Sequence, residues 1–481
     1  MSRREWIWLA VLLAAVVVRV ATLTEYPLND TTEARYAEIG REMAETGDWI
    51  TPRIAPDTPF WGKPPLSFWL TAASFSALGL GEFAARFPSF LLALASGALV
   101  FGFARRIANR EAAIAAVAIM ITSLLGFVVA GAVMTDASLL LSTTLAMVAF
   151  WNAAVEEQRA WRYPFFLALA LGLLAKGPVA LVMTGMPIGA WWLLSPGSTA
   201  AVRRIPWVSG TAITLAIAIP WYVLAELRTP GFLEYFFVGE HFLRFVDSGW
   251  QGDLYGEAHA HARGMIWIFA LGAALPWSIV AAWAGARQFA GDGLRSTSPL
   301  QRYLLLWAIT PMLFFSLAGN ILPTYVLTGL PAFAILLATW LTSRNVNLAH
   351  LGWIAPATVC ALLALPGVFD TPRSQSEIVA YQQSIAPATS LYYYRRKPHS
   401  ADFYSRGQAL LIDTPAELTR IMESPGAAFI AIKDAHLDDL PAGWQGCLSR
   451  REASARYVLL EKQALPCAGP NTGARHKLDV T

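Results

Sequence analysis

Long apolar stretches, each closed by a short polar or basic loop, fill the chain up to about residue 365, and most are long enough to cross a bilayer, or nearly so. They start near Trp6, Phe87, Ala112, Ala137, Phe165, Val179, Trp207, Met265, Tyr303, Leu322 and His350, which predicts eleven spanning helices. The stretch from 165 to 194 is interrupted only by Lys176-Gly177-Pro178, read as a tight outer turn between two spans. Farther on the pattern changes. Leu410-Leu411-Ile412, 427–432 and 457–461 have strand character, and Thr414-Pro415-Ala416-Glu417 is a capping box with proline at the first helical position. The chain therefore divides into a mainly α, polytopic membrane body over 1–368 and a small α/β domain over 369–481. The body carries a long loop at 25–83 with interfacial helices, and the tail after Gly469 is polar and expected to be disordered.

Composition agrees. Of 481 residues 56% are hydrophobic and only 14% charged, with 19 Trp, so most of the chain belongs in lipid. Arg3 and Arg4 precede an apolar run that no small-residue cleavage site closes, so the first run is read as a retained span. With the N-terminus cytoplasmic, the inner loops hold Arg105, Arg106 and Arg110, then Arg159 and Arg162, Arg203 and Arg204, Arg287, Arg295 and Arg302, and finally Arg344. Each inner loop then obeys the positive-inside rule, and an odd number of spans puts the C-terminal domain outside. A net charge of +3, scattered among loops, excludes nucleic acid as a partner. Cys447 and Cys467 stand in the outer part, where an oxidising compartment would allow pairing.

The loop after the first span opens a helix at Asn29-Asp30-Thr31-Thr32-Glu33, with Asp30 as cap and Glu33 capping back. Tyr36, Ala37, Gly40, Met43 and Ala44 share one face, which suits a helix lying flat at the bilayer surface. Asp30 reads either as a plain cap or as the carboxylate that takes a proton from an acceptor hydroxyl, with Glu33 as the competing candidate. Lys63 is presented from a proline-fixed loop, where a cation suits a phosphate that gains charge as it leaves. Asp136 and Lys176 stand at membrane boundaries, where an ionisable group moved into the apolar layer costs about 2.5–3.5 kcal/mol and so usually has a partner or a task. Arg244, in the aromatic stretch 231–245, can fork onto an anion or anchor an interfacial helix. Asp253, Glu257, His259 and His261 lack metal-ligand spacing and read as a surface cluster. The sequence specifies no cofactor and is compatible with a divalent metal.

The stretches 32–39 (Thr-Glu-Ala-Arg-Tyr-Ala-Glu-Ile), 47–53 and Lys63-Pro64-Pro65 with Phe68-Trp69-Leu70 resemble the lipid A aminoarabinose transferase branch of the C-type glycosyltransferases. Bacterial protein O-mannosyltransferases are more distant relatives. The resemblance continues through Met134-Thr135-Asp136, Ala175-Lys176-Gly177-Pro178, Glu240 to Phe245 and Leu322 to Leu327, and faintly through Pro398 to Tyr404. It implies the GT-C fold and a polyprenyl-phosphate sugar donor, whose phosphate would be held by Arg35, Lys63, Lys176 or Arg244. It implies a lipid A-type acceptor activated by Asp30 with Glu33 as alternate, Asp136 as a further catalytic candidate, and Tyr36, His241 and Tyr325 as additional site candidates. It also implies the inner bacterial membrane. The chain departs from its relatives at Thr32 and Gly62, where they carry acids, and at Gly319-Asn320-Ile321, where they carry a lysine. Two other functions fit the same pattern: transfer to protein Ser or Thr, and transport of the lipid-linked sugar, against which stands the lack of an internal repeat.

Overall fold

The computed structural model describes residues 1–256, 259–291, 297–365, 373–440, 444, 447–454 and 456–467. Glu257, Arg295, the boundary at 368/369 and the tail after Gly469 lie outside the described residues. The chain forms two compact units, one of Met1–Glu25 and Ile39–Leu365, the other of Tyr26–Glu38 and the C-terminal part from Pro366. Part of the loop expected in the membrane body, residues 26–38, thus belongs with the C-terminal part.

The first unit is helical. Its elements begin with α1 (Arg3–Ala21), the later part of α2 (Thr32–Thr46), a hairpin of β1 (Arg53–Ala55) and β2 (Thr58–Pro59), α3 (Leu66–Leu78) and α4 (Glu82–Ile107). Next come α5 (Arg110–Thr122), α6 (Leu124–Val129), α7 (Asp136–Ala154), α8 (Arg162–Lys176), α9 (Val179–Leu194), α10 (Ser198–Arg203) and α11 (Trp207–Arg228). A π-helical run, Glu234–Leu243, continues into α12 (Arg244–Val246), followed by α13 (Met265–Ala273), α14 (Trp277–Gly291) and α15 (Pro299–Phe315). A 3-10 segment, Pro323–Gly329, leads into α16 (Leu330–Ser343), and α17 (Ile354–Leu363) ends the unit.

All eleven apolar runs fall on helices. Among the described residues four are long and apolar enough to cross a bilayer unaided: 82–107, 136–154, 207–228 and 323–343. A fifth forms if α13 and α14, bent by 106° at their junction, count as one crossing. Trp267 Nε1 donates to Ser316 Oγ (2.9 Å), just after α15, and Arg344 Nη2, just after α16, donates to Gln288 Oε1 (2.9 Å). Helix α3 lies in the 25–83 loop expected to carry interfacial helices; its 13 residues reach only about 20 Å, too short to span the apolar layer.

Burial ranks the helices. Almost every position of α7 is buried; the Ser142 and Thr143 hydroxyls close onto their own helix at Leu139 O (3.0 and 2.8 Å), Ser138 pairs with Ser67 of α3 (2.9 Å), and Thr144 Oγ1 is left without a partner among the described residues. Its Phe150 and Trp151 pack against Trp191 and Tyr303. By contrast α11 leaves Val208, Leu215 and Leu227 exposed, an apolar exterior that water would not tolerate. It approaches α8 closely, because a side chain at Gly210 would fall 2.0 Å from the Phe166 ring.

The loop helix α2 corrects two expectations. Its polar face is not turned outward, since Glu38, Arg41 and Glu42 are buried along with Ala37 and Met43. Gly40 sits so near Thr71 on α3 that a Cβ would come within 2.7 Å, and Arg41 is neutralised by Glu45 one turn on. The capping box is also displaced by one residue. Glu33 Oε2 accepts from the Asn29 N–H (3.3 Å), while the Asp30 N–H goes to Arg373 O (2.8 Å).

The second unit holds α18 (Ser376–Ile385), β3 (Leu391–Tyr394), α19 (His399–Ser405), β4 (Leu410–Ile412), α20 (Pro415–Glu423), β5 (Ala428–Lys433), β6 (Leu448–Ser454) and β7 (Tyr457–Lys462). The sheet order is β4-β3-β5-β7-β6, with β4, β3 and β5 parallel and the last two antiparallel. The capping box of α20 is present as its spacing predicts. Strand β6 was missed because its Ser-Arg-Arg-Glu sequence lacks an apolar run; β7 supplies its only neighbour in the sheet, so one edge is left for polar side chains.

Candidate active site

A cavity of about 330 Å³ opens in the first unit among Lys63, Lys176, Glu240, His241, Arg244 and Tyr325, with Val182, Phe237 and Phe314 among its apolar walls. Its charged groups come from separate elements. Lys63 stands on the proline-rich loop after β2, whose backbone is bolted to the 229–263 segment. The Trp61 N–H donates to Tyr255 Oη (3.0 Å), the Tyr255 hydroxyl donates to Pro59 O (2.8 Å), and Trp61 Nε1 donates to Thr229 Oγ1 (3.0 Å). A Cβ at Gly62 would lie 2.9 Å from the Phe60 ring, so a side chain there would have to displace that ring.

Lys63 Nζ donates to Glu240 Oε1 (2.5 Å), and Arg244 Nη1 donates to both oxygens of the same carboxylate (2.9 Å each). Arg244 also pairs with Asp253 (3.3 Å). Burial alone would raise the Glu240 carboxyl, but Lys63 and Arg244 outweigh it and hold the group below the usual carboxylate range. Elsewhere on the lining Lys176 Nζ donates to Asp136 Oδ1 (2.7 Å) and lies 5.1 Å from the centre of the Tyr325 ring. Asp136 opens α7, where the helix N-terminus favours a carboxylate. Gly177, at φ +74°, ends α8, and its carbonyl neighbour Lys176 O meets His241 Nε2 (3.2 Å), while Nδ1 of that ring meets Phe236 O (2.7 Å). Burial keeps the imidazole below its ordinary pKa, hence neutral.

Lys63, Asp136, Lys176, His241, Arg244 and Tyr325 are thus gathered round one cavity or its wall. Asp30, Glu33, Arg35 and Tyr36 belong to the second unit. There the Ser400 N–H donates to Asp30 Oδ1 (3.1 Å) and the Ser400 hydroxyl donates to Oδ2. Burial raises the Asp30 carboxyl above its ordinary value against these bonds. The Leu28 N–H donates to Tyr404 Oη (2.8 Å), so both ends of the Pro398–Tyr404 stretch grip the residues just before α2. His399 is pushed down to about 4 by burial, reinforced by Arg35, Arg396 and Lys397.

Sequence reasoning passed over three residues. Glu240 was visible as an acid four positions before Arg244, the spacing of a helical ion pair. Asp253, assigned to a surface cluster, is 7% exposed and bonded to Arg244; its spacing from that residue carried no signal. Asn320 Nδ2 donates to Arg244 O (2.7 Å) and Asp247 O (2.9 Å), fixing the backbone that carries the arginine. Among the described residues no three His, Cys, Asp or Glu side chains gather as a metal-ligand set.

Residues 4–236 match the family described as dolichyl-phosphate-mannose-protein mannosyltransferase. The chain is 30% identical over 461 residues to the undecaprenyl phosphate-alpha-4-amino-4-deoxy-L-arabinose arabinosyl transferase of Edwardsiella ictaluri (strain 93-146), covering 87% of this chain and 78% of that protein. It is 33% identical to the transferase of the same name from Erwinia tasmaniensis, over 64% of this chain and 54% of that one. Among solved structures, ArnT from Cupriavidus metallidurans bound to undecaprenyl phosphate superposes with a TM-score of 0.74 at 20% identity, over 98% of this chain and 100% of the other. The oligosaccharyltransferase AglB from Archaeoglobus fulgidus follows at 0.51 and 12% identity, over 91% and 70%.

Proposed function

We propose that this chain, which belongs to the aminoarabinose transferase family of C-type glycosyltransferases, moves a sugar from a polyprenyl phosphate to a lipid A-type acceptor. The observation that carries the reading is the cavity wall on which Lys63, Lys176 and Arg244 converge amid apolar side chains. Such a wall suits a ligand that is an anion at one end and hydrocarbon at the other. As the acceptor oxygen attacks the anomeric carbon, the bond from that carbon to the phosphate oxygen breaks and its electron pair stays on the phosphate. The three cations stabilise the charge where it grows, and Arg244 can offer two parallel donors to one anion. The acceptor proton passes to a carboxylate, assigned to Asp30 with Glu33 as alternate; Asp136 orients Lys176. Inversion at the anomeric carbon follows from a single displacement.

For the membrane we propose eleven crossings, a cytoplasmic N-terminus and an outer C-terminal unit, in a bacterial inner membrane. The arginine pattern supports this. The test is transfer by the purified, reconstituted chain from a labelled undecaprenyl-phosphate sugar. Label moving to lipid A supports the proposal, whereas label on protein Ser or Thr, or none in either, overturns it. Loss of transfer in Asp30→Asn with transfer kept in Glu33→Gln supports the base assignment, and the reverse moves it to Glu33.

A further inference from the structure

The charged groups of the cavity are paired. The side chains of Lys63, Arg244 and Lys176 are 18%, 17% and 11% exposed and the carboxylates that bind them 7% for Glu240 and Asp253 and 8% for Asp136, with Glu240 itself on the cavity lining. Three cations are balanced by three carboxylates. Glu240 is central, because one carboxylate receives both Lys63 and Arg244. A wall built only to seize phosphate would not need this much buried negative charge among its cations.

We propose that Glu240 is a positioning residue that also tempers the phosphate site, holding Lys63 and Arg244 toward the cavity while cancelling enough of their charge for the phosphate product to leave. The inference rests on the polyprenyl-phosphate reading above. The donor is a phosphodiester with one negative charge. Transfer leaves a phosphomonoester, which carries nearly one charge more at neutral pH. An unopposed cationic wall would therefore bind product more tightly than donor, and release would limit turnover. Glu240 restrains that difference at close range, in a site where charge is poorly screened.

The experiment measures donor kinetics and inhibition by undecaprenyl phosphate for the wild type, Glu240→Gln and Glu240→Asp. Glu240→Gln keeps the shape and an acceptor oxygen but removes the charge. It is expected to lower the inhibition constant of undecaprenyl phosphate about tenfold, with donor KM and kcat falling together. Glu240→Asp, which keeps the charge, is expected to stay close to the wild-type inhibition constant. An unchanged or weaker product affinity in Glu240→Gln overturns the proposal, since a purely structural carboxylate would misplace the cations when lost. If Glu240→Gln does not accumulate as folded protein, Asp253→Asn carries the same prediction at about threefold, and its failure counts equally. Failure of the underlying reading looks different: the wild type itself would then not be inhibited by undecaprenyl phosphate.

Discussion

At the scale of single residues, the cavity draws its chemistry from cations that could not stand in an apolar wall alone. Lys63 and Arg244 are stabilised by Glu240, and Lys176 by Asp136, so each can be charged before a ligand arrives. Removing one donor to a developing anion typically costs a hundredfold or more in rate. Lys63→Ala is therefore expected to lower kcat/KM for the donor roughly a hundredfold. Arg244→Lys should lose activity as well, because Arg244 holds Glu240 and Asp253 through Nη1 alone and keeps other donors for an anion, whereas a lysine has a single nitrogen; steady-state kinetics on the reconstituted protein check both. His399 gives a pH prediction. Its pKa, about 4 in the folded chain against 6.5 for the free group, means that the unfolded state gains the proton first. The stability from keeping it neutral is whole above pH 6.5 and is lost as pH falls toward 4, by roughly 2 kcal/mol at pH 5. Asp30, with its raised carboxyl, works in the opposite sense. Melting followed at pH 7 and pH 5 should show a smaller drop for His399→Gln than for the wild type.

Among the elements, the turn after α8 decides how Lys176 meets the π-helical run that carries Glu240. Gly177 needs its positive φ, and a Cβ there would lie 2.7 Å from the Phe236 ring and 3.2 Å from His241 Nε2. Both neighbours belong to the π-helical run that carries Glu240. Gly177→Ala is thus expected to displace that run and reduce transfer at least tenfold while the chain still folds, which activity beside a thermal melt would show. Helix α2 is legible as a helix from its periodicity, yet its apolar stripe suggested a surface. Burial of Glu38, Arg41 and Glu42 reverses that, because internal pairing of the kind Arg41 makes with Glu45 can remove the cost of enclosing charge.

For the molecule as a whole, hydrophobic runs and arginine-rich loops lead to one topology. Reporter fusions after Arg110, Arg204 and Arg344 are expected to report the cytoplasm, and fusions at Gly62 and Ser405 the outer face. A cytoplasmic Ser405 would invert the assignment of the C-terminal unit. The division into units was only half visible. The change of pattern near 369 marks the C-terminal part, but nothing in residues 26–38 signals that they cluster with it, since the bond from Ser400 to Asp30 joins positions 370 apart.

What the amino-acid order settled alone is whatever depends on neighbours along the chain: eleven apolar runs that became helices, the capping box of α20, and the motif stretches holding Lys63, Asp136, Lys176 and Arg244. Local periodicity and spacing suffice for these, because helices and caps form from contacts a few residues apart. Only the tertiary structure decided which charges face one another. Glu240 between Lys63 and Arg244, Asp253 behind Arg244, and Asp30 in the grip of Ser400 are long-range pairings or depend on one. The energy of a charge in a poorly hydrated site is set by whatever the fold brings within a few ångströms of it.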